Sequence, residues 1–304
     1  MHSPSIRSPN RLDLTLMVMA AIIWASGFVA IRIAVPETGP VWLAAMRVGL
    51  GFMVLLPYAW WRGMTWPENS TQWLLIIGMA MMNVVLPFVL VSWSGMTLDA
   101  SVMALLMGTG PFLALVGSHF LTNDDRLSVR KLVSVLLGFA GIVVLVGPSA
   151  FAGLADGSFQ AKLVMLAASC CYVMAGLMIR RITMPPVRLA CLALAIGAAA
   201  LFPLAFLIEG SPKTALSVPA VTALIYLGLF PTGIAYILRF NLINAIGYSR
   251  FSLTVNMIPV FGMALGILLL GEPVTLNGMV ALGLVLSGLY VAAGKDKSQS
   301  GAQS

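Results

Sequence analysis

The chain has 304 residues, of which 60% are hydrophobic and only 9% charged. Soluble domains carry roughly 25% charged residues, so this composition excludes a soluble globular fold and suits a bilayer. The formal charge of +7 raises nucleic acid as a partner, which the placement of the basic residues argues against.

A spanning helix needs about 20 apolar residues, because about 30 Å of hydrocarbon is crossed at 1.5 Å per residue. The apolar runs here are long and continuous. Outer-membrane barrels instead alternate over segments of about ten residues, so helices are expected. After a polar tail over 1–12, the runs fall at roughly 13–35, 41–61, 72–94, 99–121, 129–147, 159–181, 187–208, 218–240, 247–270 and 275–293, followed by a second polar tail over 294–304. No A-x-A cleavage site follows the first run, which therefore reads as an uncleaved span. The connections are short and leave no room for a soluble domain. Trp42, Trp60, Trp61, Trp66 and Trp73 fall at span ends and read as an aromatic belt. Cys170, Cys171 and Cys191 lie inside apolar runs and read as small hydrophobes. Their spacing fits neither a metal site nor a disulfide framework, and no cofactor is expected.

Ten spans put both termini on one side. That side takes Arg7, Arg11, Arg62, Arg126, Arg130, Lys131, Arg180, Arg181, Arg188, Arg239, Arg250, Lys295 and Lys297. The other side takes Arg32, Lys162 and Lys213, and Arg47 lies within the second span. A basic bias of this size places both termini in the cytoplasm of a bacterial-type inner membrane. It also accounts for the net charge without a nucleic-acid partner.

The chain repeats itself. In "LLMGTGPFLALVGSHFLTNDDRLS", Pro111 and Asp124 stand where "LTVNMIPVFGMALGILLLGEPVT" has Pro259 and Glu272, at one constant offset of 148 residues. Pro87 in "NVVLPFVL" and Pro231 in "LGLFPTGI" form a second pair. In the fifth and tenth runs Gly141 and Gly147 match Gly288 and Gly294. The expected domains are five spans over 13–147, an external linker over 148–158, and five more over 159–293. Five is odd, so the second unit runs upside down. Inverted repeats mark transporters whose substrate site lies at the midplane between interrupted helices. Proline removes an N–H and clashes with the preceding turn. Pro87, Pro111, Pro231 and Pro259 are therefore the candidate hinges.

"AAIIWASGFVAIRIA", "GPVWLAAMRVGLGFMVLLP", the pattern P-x(11,12)-[DE] and the Gly-rich closing span together resemble the EamA type of the drug/metabolite transporter superfamily. The resemblance covers about residues 13 to 294. Within the superfamily it is nearest the ten-helix amino-acid and metabolite exporters, including the aromatic amino acid exporter type. It implies a basket of helices around a central cavity, with the fifth and tenth spans at the periphery. One departure is Asp124-Asp125, where the family has a Gly-Glu pair that survives here as Gly271-Glu272. A helix-end or loop role is the expectation for that acid.

Polar residues at mid-span are costly and so are candidates for function. The set is Trp24, Ser26, Asn83, Thr109, Tyr172, Thr232, Tyr236 and Asn256. Of these, Trp24, Asn83, Thr109, Tyr172, Tyr236 and Asn256 form the candidate substrate cavity. Amides such as Asn83 and Asn256 serve equally as interhelical glue. For Trp24, Tyr172 and Tyr236, packing or interfacial anchoring is the competing reading. Arg47, the one basic residue deep in a span, snorkels outward, caps freed carbonyls or meets an anion, with the structural role favoured. His119 sits near the cytoplasmic end of the fourth span. No Asp or Glu lies at mid-membrane, so His119 is the only candidate ion carrier, and uniport or exchange is expected. One Arg is too few for a phosphate substrate. The 19 methionines add adaptable surface. These features point to a membrane exporter of amino acids and related small metabolites, not an enzyme. A multidrug exporter, a channel and an intramembrane enzyme are the alternatives. Its partners are a small-molecule solute and lipid. Gly262-x-x-x-Gly266 leaves oligomeric state open, since it suits contact between protomers or within one.

Overall fold

The computed structural model describes residues 7–121, 129–151 and 157–293. Among these, all regular structure is helical and forms ten spans. They are α1 (Arg11–Thr38), α2 (Pro40–Trp61), α3 (Ser70–Ser94), α4 (Ala100–Met107 and Gly110–Leu121) and α5 (Val129–Phe151). After them come α6 (Gly157–Ile179), α7 (Pro186–Glu209), α8 (Val218–Ile246), α9 (Tyr248–Asn256 and Ile258–Leu270) and α10 (Leu276–Ala293). Among the described residues, seven helices are long and apolar enough to cross a membrane, and α4 and α10 hold the shorter apolar runs Ala100–Val116 and Leu276–Val291.

The packing exchanges α1–α5 with α6–α10. Helix α1 packs on α8 and α9, as α6 packs on α3 and α4. Helix α2 packs on α7 and on α8, as α7 packs on α3, while α5 and α10 pair with each other. The sequences of α2 and α7 carry the same relation: Pro40, Gly51 and Pro57 recur as Pro186, Gly197 and Pro203. Both glycines do the same work. A Cβ on Gly51 would press into Thr232 of α8, and one on Gly197 into Val84 of α3. Each glycine thus lets its helix lie against the irregular middle of a helix from the other unit.

The irregularities also correspond. Helices α3 and α8 each contain a π-type stretch, Met81–Val85 and Gly228–Ile234. Helices α4 and α9 break at Gly108-Thr109 and at Met257. Each interruption holds or adjoins one of the four prolines. A proline cannot donate to the carbonyl four residues before it, so Asn83, Met107, Leu227 and Val255 each lose their usual donor. At α8 the hydroxyl of Thr232 donates to the Leu227 carbonyl instead, at 2.8 Å.

Helices α1 and α2 abut through Gly39, and α8 and α9 through Gly247, at φ of 82° and 86°. A side chain at either φ would be strained. Glycine at Gly39 also leaves space for the carboxylate of Glu209.

The face opposite the N-terminus is tied by three acids that each cap another helix. Glu209, ending α7, accepts from the N–H groups of Val41 and Trp42, both at 2.9 Å, at the start of α2. Glu272, after α9, accepts from Ala100 N at 2.6 Å and Ser101 N at 3.0 Å, at the start of α4. Glu37 of α1 accepts from Ser217, the N-cap of α8, through its N–H at 2.7 Å and its hydroxyl at 2.6 Å. Helix starts leave N–H groups unpaired and carry partial positive charge, so a carboxylate there satisfies both. Glu272 therefore has the helix-end geometry expected for the surviving Gly-Glu pair. Its former counterpart, Asp124, lies outside the described residues. Burial first, and the nearby Glu272 second, hold the Asp99 carboxyl above its usual range against the pull of Arg32.

One detail departs from the sequence expectation. Trp42 is not part of an interfacial belt: it is buried, packs on Phe202 and Phe206, and donates to the Gly210 carbonyl at 3.0 Å. Trp60, Trp61 and Trp66 remain exposed. Of the three cysteines, Cys191 is buried and Cys170 is on the outside of the apolar helix α6. Gly262 and Gly266 face α4 within the same chain, where a Cβ would overlap Ala104 and crowd Ser101 N. That stripe packs inside one protomer.

Candidate functional site

A cavity of about 230 Å³ opens between the two units. Its wall comes from α1 (Trp24, Gly27, Phe28, Ile31), α2 (Arg47), α3 (Asn83, Phe88, Val91), α4 (Met107), α6 (Tyr172), α8 (Pro231, Tyr236, Arg239) and α9 (Val255, Ile258). None of the described residues of α5 and α10 lines it. The cavity touches all four interruptions. Asn83 and Pro231 belong to the two π-type stretches, Met107 ends the first half of α4, and Val255 and Ile258 flank the break in α9.

Several wall residues are held by bonds that the interruptions make available. Trp24 donates its indole N–H to the Pro231 carbonyl at 3.2 Å and meets Phe251 edge-on at 6.0 Å. Below it, Ser26 shares a 2.6 Å hydrogen bond with Tyr226. Arg47 is buried, with Nε and Nη2 both 3.3 Å from the Thr232 hydroxyl oxygen. Its guanidinium also lies over the Phe88 ring, 4.2 Å from the centroid. The Thr232 hydroxyl thus accepts from Arg47 while donating to Leu227. One residue therefore ties α2 to the proline-interrupted turn of α8. The equivalent position in α7 is Ala193, so this tie has no counterpart in the other unit.

Of the residues singled out from the sequence, Trp24, Asn83, Tyr172, Tyr236, Arg47 and Pro231 line the cavity together. Asn256 stands at the α9 break between two lining residues without being one itself. Thr109 is buried, donates to the Leu106 carbonyl at 2.6 Å and is not in the wall. Pro87 is buried beside the lining Phe88, and Pro111 starts the second half of α4. Pro259 packs against Gly108, joining the breaks of α4 and α9. The side chain of His119 lies outside the described residues.

Arg239 is a correction. The eighth span was expected to end at 240, which put Arg239 at its end on the N-terminal side. Helix α8 instead runs to Ile246 and stops at Gly247, so Arg239 lies about two turns inside and lines the cavity. Its Nε is shielded from solvent and has no partner among the described residues. Arg47 is therefore one of two guanidinium groups in the wall. The available signal was Gly247, a helix-stopping residue, which the more visible Asn241 and Asn244 obscured.

The sequence profile of the EamA-like transporter family matches this chain twice, over residues 12–147 and 160–294. An Archaeoglobus fulgidus protein named an uncharacterized transporter is 24% identical over 286 residues, covering 92% of this chain and 98% of its own length. A probable amino-acid metabolite efflux pump of Escherichia coli is 23% identical over 297 residues, covering 93% and 95%. A crystal structure of a protein with 20% identity superposes with a TM-score of 0.65 over 93% of this chain and 98% of that one. That superposition shows the shared fold.

Proposed function

Because the chain belongs to the EamA-like transporter family and is a multi-pass membrane transporter, we propose that it exports amino acids and related small metabolites by alternating access. The observation that carries this reading is the cavity whose wall meets every interrupted helix of both units. Interrupted turns are where two pseudo-symmetric units exchange one set of contacts for another, and non-helical backbone at membrane depth is tolerated where it lines a cavity. The volume, about 230 Å³, falls below the roughly 300–1,000 Å³ of pockets that hold drug-sized ligands. It therefore favours a small metabolite over a drug. Guanidinium groups suit a carboxylate, and the carbonyls of Asn83, Met107 and Val255 suit an ammonium. The aromatic wall of Trp24, Phe28, Tyr172 and Tyr236 suits an apolar body. The relative named an efflux pump supports the outward direction. With Arg239 moved into the cavity, the N-terminal face still holds most of the loop Lys and Arg, which supports cytoplasmic termini in an inner membrane.

Purified protein in proteoliposomes is expected to take up labelled phenylalanine saturably, and faster when unlabelled amino acid is preloaded. Equal uptake by protein-free liposomes refutes the reading, and flux without saturation or counterflow indicates a channel. In the same assay Pro231→Ala and Pro259→Ala are expected to slow turnover several-fold with half-saturation nearly unchanged. The restored N–H groups rebuild continuous helices and stiffen the turns that move. A weakened half-saturation at retained turnover would sink the hinge assignment.

A further inference from the structure

We infer that the cavity selects its solute by a carboxylate held at Arg239 together with Arg47, and that the solute's ammonium is dispensable. This rests on the cavity being the transport site and goes beyond it in naming the group that is recognised. Arg47 and Arg239 are the only two charged residues in the wall among the described residues. Every described carboxylate lies at or beyond a helix end: Asp13, Glu37, Glu68, Asp99, Glu209 and Glu272. Arginine stays protonated in proteins. The wall therefore carries two positive charges with no acid of the described residues to offset them.

The two groups are not equally occupied. Arg47 has neutral partners in the Thr232 hydroxyl and the Phe88 ring. The side chain of Arg239 is half-buried, and its Nε is shielded from water with no hydrogen-bond partner among the described residues. A shielded donor without a partner is costly, and the planar fork of a guanidinium matches a carboxylate in two parallel hydrogen bonds. A carboxylate entering here removes that cost. An ammonium meets only carbonyl dipoles and phenols under a positive field, so it adds little. Carboxylates that lack an ammonium, such as 2-oxo acids and N-acyl amino acids, then belong to the same substrate class as the amino acids.

The test measures binding apart from transport. Thermal stability of the detergent-solubilised full chain is titrated with phenylacetate and with phenylacetamide, which share a shape and differ in charge. The expected apparent Kd for phenylacetate is at least tenfold lower. In Arg239→Gln that ratio should fall towards one, while Arg239→Lys retains part of it. Arg62→Gln, at the N-terminal end of the bundle, should leave the ratio unchanged. Equal stabilisation by the two compounds in the wild type overturns the inference, as does a ratio unaltered in Arg239→Gln. Should the Gln variant fail to fold, the wild-type comparison and the Lys variant still decide. Carboxylate binding without phenylalanine flux leaves the inference standing and removes the amino-acid export reading.

Discussion

Replacing Arg47 by methionine is expected to cut flux of a carboxylate solute by roughly 10- to 100-fold while leaving the folded state as stable as before, or more so. The two halves of that expectation have separate physical origins. A hydrogen bond to a charged group contributes about 1.5–3 kcal/mol, and each 1.4 kcal/mol is about a factor of ten. Losing one charged contact to the solute therefore costs flux on that scale. Stability moves differently, because burying a charge without an ionic partner is expensive and an apolar side chain of similar volume is often neutral or stabilising in its place. Methionine can keep the packing against Phe88. Thr232 goes on donating to the Leu227 carbonyl at 2.8 Å, so no donor is orphaned. If Arg47 is instead a structural tie between α2 and α8, the unfolding midpoint of the variant drops and flux per folded molecule is retained. The two readings weighed from the sequence thus give opposite results in one pair of measurements.

What could be read in advance followed from how far each signal reaches along the chain. Apolar runs are local, and the spans they predict appear within a few residues. The prolines are local too, and Pro87, Pro111, Pro231 and Pro259 each sit at an interruption. Trp24, Asn83, Tyr172 and Tyr236 were singled out as polar groups at mid-span, again a local signal, and they line one cavity. Arg239 was misplaced because polar Asn241 and Asn244 resemble a loop, whereas inside a bundle they are tolerated until Gly247 ends the helix. Trp42 was misjudged because an aromatic at a span end looks interfacial unless its neighbours are known. Those neighbours, Phe202 and Phe206, lie in the other unit. The capping acids were beyond reach for the same reason. Glu209 and Glu272 meet helix starts 168 and 172 residues away, and no local pattern says which one. The repeat of Pro40, Gly51 and Pro57 as Pro186, Gly197 and Pro203 was visible in the sequence and would have aligned α2 with α7 directly.

Removing those caps should rank by burial, with Glu272→Ala and Glu209→Ala each destabilising by about 1–3 kcal/mol and Glu37→Ala by no more than about 0.5 kcal/mol. The chemistry is the same at all three sites, a carboxylate accepting two hydrogen bonds at a helix start. The environment differs. Ala100, Ser101, Val41 and Trp42 are buried, so water cannot replace a lost carboxylate, and each variant strands two N–H groups. The Glu37–Ser217 contacts are exposed, and water substitutes there. Glu272→Gln should fall between wild type and alanine, because the amide retains one acceptor and presents a donor to the second N–H. Glu209 and Glu272 cap different helices, α2 and α4, so the double alanine variant should be additive to within about 0.3–0.5 kcal/mol. Chemical unfolding in mixed micelles, followed by tryptophan fluorescence, reads the wild type and all five variants on one scale. A drop at Glu37→Ala as large as at Glu272→Ala would mean that charge near the helix start, and not the buried hydrogen bonds, holds this face together.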